Sequence, residues 1–147
     1  MADSSPRSTG PLRILVAEDE PHIRRILKTI FEDSGFELDV VPDGAAALAA
    51  VRGTTPYHLM LLDLVMPEAS GLDVLREVRS LDHRSALPVI VLTSKGQDAD
   101  REQALELGAN AYLTKPFSPR KLLSQVDALI VRTNPGLWVV ALAGGVG

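Results

Sequence analysis

The stretch ILVAEDEPHIRRILKTIFEDSG, residues 14–35, decides the fold. Its first four residues, Ile14 to Ala17, make a continuous apolar run of strand length. The run stops at three consecutive acids, Glu18, Asp19 and Glu20. Pro21 then opens a helix at a first-turn position, and Gly35 closes it where a left-handed cap forms easily. Between them Ile23, Ile26, Leu27, Ile30 and Phe31 recur at i, i+3, i+4, i+7 and i+8. That spacing lays one apolar stripe against a sheet and turns Arg24, Arg25, Lys28 and Glu32 to water. A strand followed directly by an amphipathic helix is the first half of a βαβ unit.

Outward from this stretch the alternation continues. Leu38 to Val41 is a second strand, followed by an alanine-rich helix from about Ala45 to Arg52. Leu59 to Leu62 and Val89 to Leu92 are uninterrupted apolar runs, as strands covered on both faces require, so both belong mid-sheet. Helices over Leu72 to Ser80 and Asp98 to Leu107 follow them. Tyr112 to Leu113 is a short fifth strand. A last helix from Pro119 to about Val131, capped by Ser118, carries Leu122, Leu123, Val126, Leu129 and Ile130 on one stripe. Right-handed crossovers make this an α/β fold, a doubly wound five-stranded parallel sheet with helices on both faces and flavodoxin-like order 2-1-3-4-5.

A chain of 147 residues is the size of one domain. Residues 1–11 (MADSSPRSTGP) are rich in Ser, Pro and Gly and read as a mobile tail, residues 12–132 as the folded unit. Residues 133–147 (TNPGLWVVALAGGVG) leave the pattern at Pro135 and Gly136 and form an apolar tail of unknown role.

Composition narrows the function classes. Hydrophobic residues at 46% against 23% charged can build a core. A net charge of -4 offers no basic field for phosphate backbones, which argues against direct nucleic-acid binding. The absence of cysteine removes disulfides, thiolate metal sites and cysteine nucleophiles, and agrees with a reducing compartment. No run approaches the roughly 18 apolar residues of a membrane span, and Met1 to Pro11 lacks the apolar core of a secretory signal. The expectation is a cytoplasmic protein with no membrane insertion.

In a doubly wound sheet the residues just after each strand converge at its carboxyl edge. Here these are Glu18 and Asp19, Asp63, Thr93 and Ser94, and Thr114 and Lys115. Three carboxylates brought together repel unless a cation is shared, and Mg²⁺ suits an all-oxygen site that keeps waters and accepts phosphoryl oxygens. Lys115 would then act as a point charge on a phosphoryl group and Thr93 as a hydroxyl donor to it. Asp63, ending an apolar strand, is the candidate nucleophile for an acyl phosphate. Taken singly, Asp63 reads equally as a turn residue, Lys115 as a solvated charge, and Glu18 and Asp19 as caps of the first helix. His22, His58 and His83 show no ligand spacing.

Four segments in order, Ile14-Leu-Val-Ala-Glu-Asp-Glu20, Leu62-Asp-Leu-Val-Met-Pro-Glu-Ala-Ser-Gly71, Val91-Leu-Thr-Ser94 and Tyr112-Leu-Thr-Lys-Pro-Phe117, resemble the receiver domain of bacterial two-component response regulators. The resemblance runs from about Arg13 to Arg132. It implies that Asp63 is phosphorylated by a sensor histidine kinase or a histidine phosphotransfer protein. Glu18 and Asp19 would hold Mg²⁺ with Asp63 and the backbone carbonyl of Val65. Thr93 and Lys115 would contact the phosphoryl group, and Tyr112 would follow Thr93 inward on activation. Glu18 stands where many relatives have Asp, which makes Asp19 the firmer direct ligand. The resemblance also suggests a cis Lys115-Pro116 bond.

The expected output is protein binding to a downstream target as a stand-alone receiver, since no effector domain follows Arg132. A phosphorylation-dependent dimer is compatible with it. One alternative is a receiver cut from a longer regulator, although Asn110, Ala111, Lys121 and Gln125 depart from the dimer-face residues of winged-helix members. Another is an aspartate-nucleophile phosphatase, which would need an acid at Val65. The chain is thus expected to be no enzyme beyond catalysing its own phosphotransfer and slow autodephosphorylation. Val65 and Lys95, two residues after Asp63 and Thr93, would set that slow rate.

Overall fold

The computed structural model describes residues 12–94 and 96–133; the expectations for residues 1–11, for Lys95 and for residues 134–147 lie outside the described residues. Strands and helices alternate as β1 (Arg13–Ala17), α1 (Pro21–Asp33), β2 (Glu37–Val41), α2 (Gly44–Arg52), β3 (Leu59–Asp63), α3 (Gly71–Ser80), β4 (Val89–Thr93), α4 (Asp98–Glu106), β5 (Ala111–Thr114) and α5 (Pro119–Thr133). The strands are parallel, in the order β2-β1-β3-β4-β5. The alternation in the sequence predicts this order, and the element ends differ from the expected ones by one or two residues.

Strand pleating divides the core into two layers. Ile14 and Val16 of β1, Leu59 and Leu61 of β3, Ile90 and Leu92 of β4 and Leu113 of β5 pack with Leu27 and Phe31 of α1 and Leu122 and Val126 of α5. The intervening Leu15, Ala17, Met60, Leu62, Val89 and Val91 pack with Ala47 and Val51 of α2, Val74, Leu75 and Val78 of α3 and Ala104 of α4. The period of two explains both layers at once. Each large aliphatic side chain buried this way contributes about 1.5–3 kcal/mol.

Helix starts follow local chemistry. Asp43 accepts from Ala46 N at 2.7 Å, Ser70 from Asp73 N at 3.2 Å, and Ser118 from Lys121 N at 2.9 Å. Helix α1 differs from the capping expected of Glu18 and Asp19. Its N-cap is Glu20, which makes no side-chain cap bond, and Pro21 at the first turn needs no donor satisfied. Gly35 leaves α1 at φ +86°, the left-handed conformation that a residue without Cβ adopts freely. At the start of α3, a Cβ on Gly71 would collide with the backbone of Asp63 and Leu64. Gly71 therefore lets α3 close over the end of β3.

The amino edge of the sheet is tied by arginines. Arg84, only 4% exposed, donates Nε to Val51 O at 2.9 Å and Nη2 to Gly53 O at 2.9 Å, closing the end of α2. Arg79 donates to Leu87 O, Gly108 O and Asn110 Oδ1, and Asn110 Oδ1 also receives Val89 N. Arg13 bridges Glu37 and Asp39 of β2. Half-buried His58 accepts from Arg13 N through Nδ1, and Nε2 of exposed His83 lies 2.8 Å from Gly53 O, so both contact backbone at the amino edge.

Candidate active site

The pleat that sorts the core also sorts the chemistry. Continuing each strand by two residues, Glu18 follows Ile14 and Val16, Asp63 follows Leu59 and Leu61, and Lys115 follows Ala111 and Leu113. The three side chains meet at the carboxyl edge. Lys115 Nζ donates to Asp63 Oδ2 at 3.1 Å and to Glu20 Oε1 at 3.1 Å. Glu18 Oε1 lies 2.8 Å from the same nitrogen as an ion partner, outside hydrogen-bond geometry. Thr93 has the opposite parity, shared with Val89 and Val91, and stands beside its register partner Thr114.

Ligand oxygens of Glu18, Asp19 and Asp63 all lie within 4.8 Å of one another. Glu18 is fully buried and Asp63 is 5% exposed, while Asp19 is half-buried. The loop is held from both sides. Glu20 N donates to Glu18 Oε2 and Val65 N to Asp63 Oδ1, each at 3.1 Å. Arg24 Nη1 donates to Glu18 O at 3.0 Å and to Asp19 O at 2.8 Å.

Burial governs the protonation of the cluster. It pushes the Glu18 carboxyl up to about 7, against the opposing pull of Lys115 and the Glu20 N–H. It also raises Asp63, against the Val65 N–H and Lys115. Burial alone would lower Lys115, but Glu18 and Asp63 outweigh it and hold the ammonium above its ordinary range. One ammonium facing three clustered carboxylates leaves an excess of negative charge in low dielectric.

That excess fits a hard cation. Among the described residues Glu18 Oε1 is buried with no hydrogen-bond donor, and the Lys115 ammonium beside it is shared with Asp63 and Glu20, so a further positive charge is favoured there. The donor set is all oxygen, as Mg²⁺ requires. The residues present therefore fit the ion.

Other expected residues are less engaged. The Thr93 hydroxyl is buried and turned toward β5, with Leu113 O and Thr114 Oγ1 each at 3.4 Å. Tyr112 is 38% exposed, with the Arg101 guanidinium 4.9 Å from its ring centre, rather than packed under the sheet edge. The Val65 side chain is 54% exposed at the mouth. The Lys115-Pro116 bond is cis. Two residues escape a reading by strand ends alone. Arg24, assigned to the water-facing stripe, folds back on the acidic loop, and Glu20 supplies a further carboxylate to Lys115. The signal available for both was their place at the junction of the acidic run and α1.

The family model described as the response regulator receiver domain matches residues 14–127. The chain is 40% identical over 126 residues to the transcriptional regulatory protein ResD of Bacillus subtilis, covering 86% of this chain and 51% of that protein. Among solved structures, a CheY-like response regulator receiver domain protein from Methanospirillum hungatei superposes with TM-score 0.80 at 26% identity, covering 86% of this chain and 99% of that one. The receiver domain of a Pseudomonas aeruginosa sensor histidine kinase superposes with TM-score 0.76 at 29% identity, covering 82% and 98%. That structure is described as having a magnesium ion coordinated in its active site cleft. With its sheet order, its carboxylate cluster and this family match together, the chain belongs to the response regulator receiver domains. It spans about half the length of the curated relatives it matches.

Proposed function

We propose that this chain is a signalling switch that accepts a phosphoryl group on Asp63. The observation that carries the reading is the convergence of Glu18, Asp19, Asp63 and Lys115 at one sheet edge, with Glu18 Oε1 buried and short of a donor. Glu18, Asp19, Asp63 and the Val65 carbonyl would hold Mg²⁺, which supplies charge neutralisation for the incoming phosphoryl oxygens. The chain's own residues do the rest. An Asp63 carboxylate oxygen forms the bond to phosphorus as the donor's P–N bond breaks, and the electron pair of that bond stays on the departing imidazole nitrogen. Lys115 donates to a phosphoryl oxygen, and Val65 N steadies the second Asp63 oxygen.

The donor is a sensor histidine kinase or a histidine phosphotransfer protein, as the family membership supports. Output follows when Thr93 turns from β5 toward the phosphoryl group and Tyr112 moves with it, reshaping the surface for a protein target or a second copy. Residues 12–132 are the receiver unit. A specific observation also favours a second reading, in which the receiver belongs to a longer regulator with an effector domain, because about half of ResD lies outside the match. The test of the site is labelling by a small phosphodonor with and without Mg²⁺. Label that requires Mg²⁺ and disappears in Asp63→Asn supports the reading, and label that persists in the mutant overturns it.

A further inference from the structure

The ammonium that must meet the phosphoryl group is already occupied. Three carboxylates enclose Lys115 Nζ: Glu18 at 2.8 Å, Asp63 at 3.1 Å and Glu20 at 3.1 Å. Asp63 and Glu20 take two of its three N–H donors, and Glu18 Oε1 crowds the remaining side outside hydrogen-bond geometry. A phosphoryl oxygen gains full access to the ammonium when one of these partners withdraws.

The partners differ in their freedom to do so. Glu18 is fully buried and pinned through Oε2 by Glu20 N. Asp63 is 6% exposed by side chain and is the attacking group itself. The Glu20 side chain is 56% exposed and can leave by a rotamer change that opens no core contact. Its backbone stays in place as the N-cap of α1 while the side chain moves.

We propose that Glu20 is a latch on Lys115, a positioning residue that holds the ammonium in the resting site and must be displaced by the phosphoryl group. The inference rests on the proposed phosphoacceptor function. Glu20 then sets how readily the switch fires, because the fraction of molecules with Lys115 released scales the apparent affinity for a phosphoryl group. The same carboxylate returns to Lys115 once the phosphoryl group is gone.

The experiment compares the parent chain with Glu20→Gln and Glu20→Asp at saturating Mg²⁺. The readouts are the second-order rate constant for phosphorylation by phosphoramidate and the equilibrium affinity for beryllofluoride. Glu20→Gln is expected to raise both by about two- to fivefold, the scale of one exposed ion pair. Glu20→Asp keeps the charge on a shorter arm that falls short of Nζ, and it is expected to gain most of that increase. No gain in Glu20→Gln overturns the latch. A gain in Glu20→Gln with parental values in Glu20→Asp also overturns it, since removal of charge alone would then account for the effect. Loss of label in Asp63→Asn alongside unmoved Glu20 variants rejects the latch and keeps the phosphoacceptor, whereas persistent label in Asp63→Asn rejects the phosphoacceptor itself.

Discussion

Lys115 Nζ lies 2.8 Å from Oε1 of Glu18, an ammonium set against a carboxylate with no exposed surface. The pair joins the end of β1 to the loop after β5, across β3 and β4. It is one of the ion contacts of Lys115 that tie the carboxyl edge together, and its loss has a definite signature.

Lys115→Ala leaves Glu18 and Asp63 buried without their cation. In chelator the variant is expected to lose about 3 kcal/mol of stability, the scale for breaking a buried pair by removing one partner. Mg²⁺ should recover part of that loss, since it replaces the missing positive charge. Urea unfolding in chelator and in Mg²⁺ checks both, and equal stability of parent and variant in chelator would remove Lys115 from the support of the fold.

Arg24 holds the carbonyls of Glu18 and Asp19 from behind the carboxylates. Outer partners of this kind orient ligands without touching the ion. Arg24→Ala is therefore expected to weaken Mg²⁺ binding by about tenfold, with Arg24→Lys giving partial recovery. Calorimetric titration with Mg²⁺ measures it, and an unchanged affinity in Arg24→Ala would show that the loop holds its shape alone.

In the proposed switch, the lifetime of an acyl phosphate on Asp63 would depend on a water in line with phosphorus. Val65, exposed at the mouth, offers that water no hydrogen bond from its side chain. Slow self-dephosphorylation is the expected result, and Val65→Asn combined with Lys95→Glu is expected to shorten the lifetime by giving the water polar partners. Decay of labelled protein after donor removal in Mg²⁺ decides the matter. A double mutant that decays no faster than the parent places the control elsewhere.

Tyr57 links the amino edge to β2 by donating to Asp39 Oδ2 at 2.7 Å. Burial first, and then Asp39, push its hydroxyl from 10.0 up to about 12. The folded state thus holds the proton more tightly than the unfolded chain. Its contribution is complete below pH 10.0 and is lost as pH rises toward about 12. Urea midpoints across that window should fall more steeply in the parent than in Tyr57→Phe, and parallel curves would exclude Tyr57 as the titrating group.

Much of this was legible in the chain because two periods carry it. The 3.6-residue stripe of Ile23 to Phe31 and the unbroken runs at Leu59 and Val89 specify helices and central strands, and the polar residues just after each run mark the sheet edge. Asp63, Lys115, Glu18 and Asp19 were singled out by that rule, and the structure places them close together. Arg24 and Glu20 were not, because a helical period assigns faces and is silent about a long side chain that folds back over its own helix start. The direction of Thr93 was equally hidden. Its parity places it with Val89 and Val91, but the contact with β5 depends on register against Thr114, a long-range property. The contact of the Tyr112 ring with Arg101 of α4 is likewise a long-range property, which strand propensity does not anticipate.

The arginine ties at the amino edge give the molecule a gradient of stiffness. Arg84 and Arg79 fasten the end of α2, the approach to β4 and the turn before β5 to carbonyl oxygens that no change of charge at the far edge can reach. At the carboxyl edge the corresponding loops are held by the ion contacts of Lys115, which the proposed phosphoryl transfer would rearrange. Movement on phosphorylation is therefore expected at one rim of the sheet, like leaves of a book bound along the opposite side. Amide hydrogen exchange would register this as slow, phosphorylation-insensitive protection at the bound side and variable protection at the other.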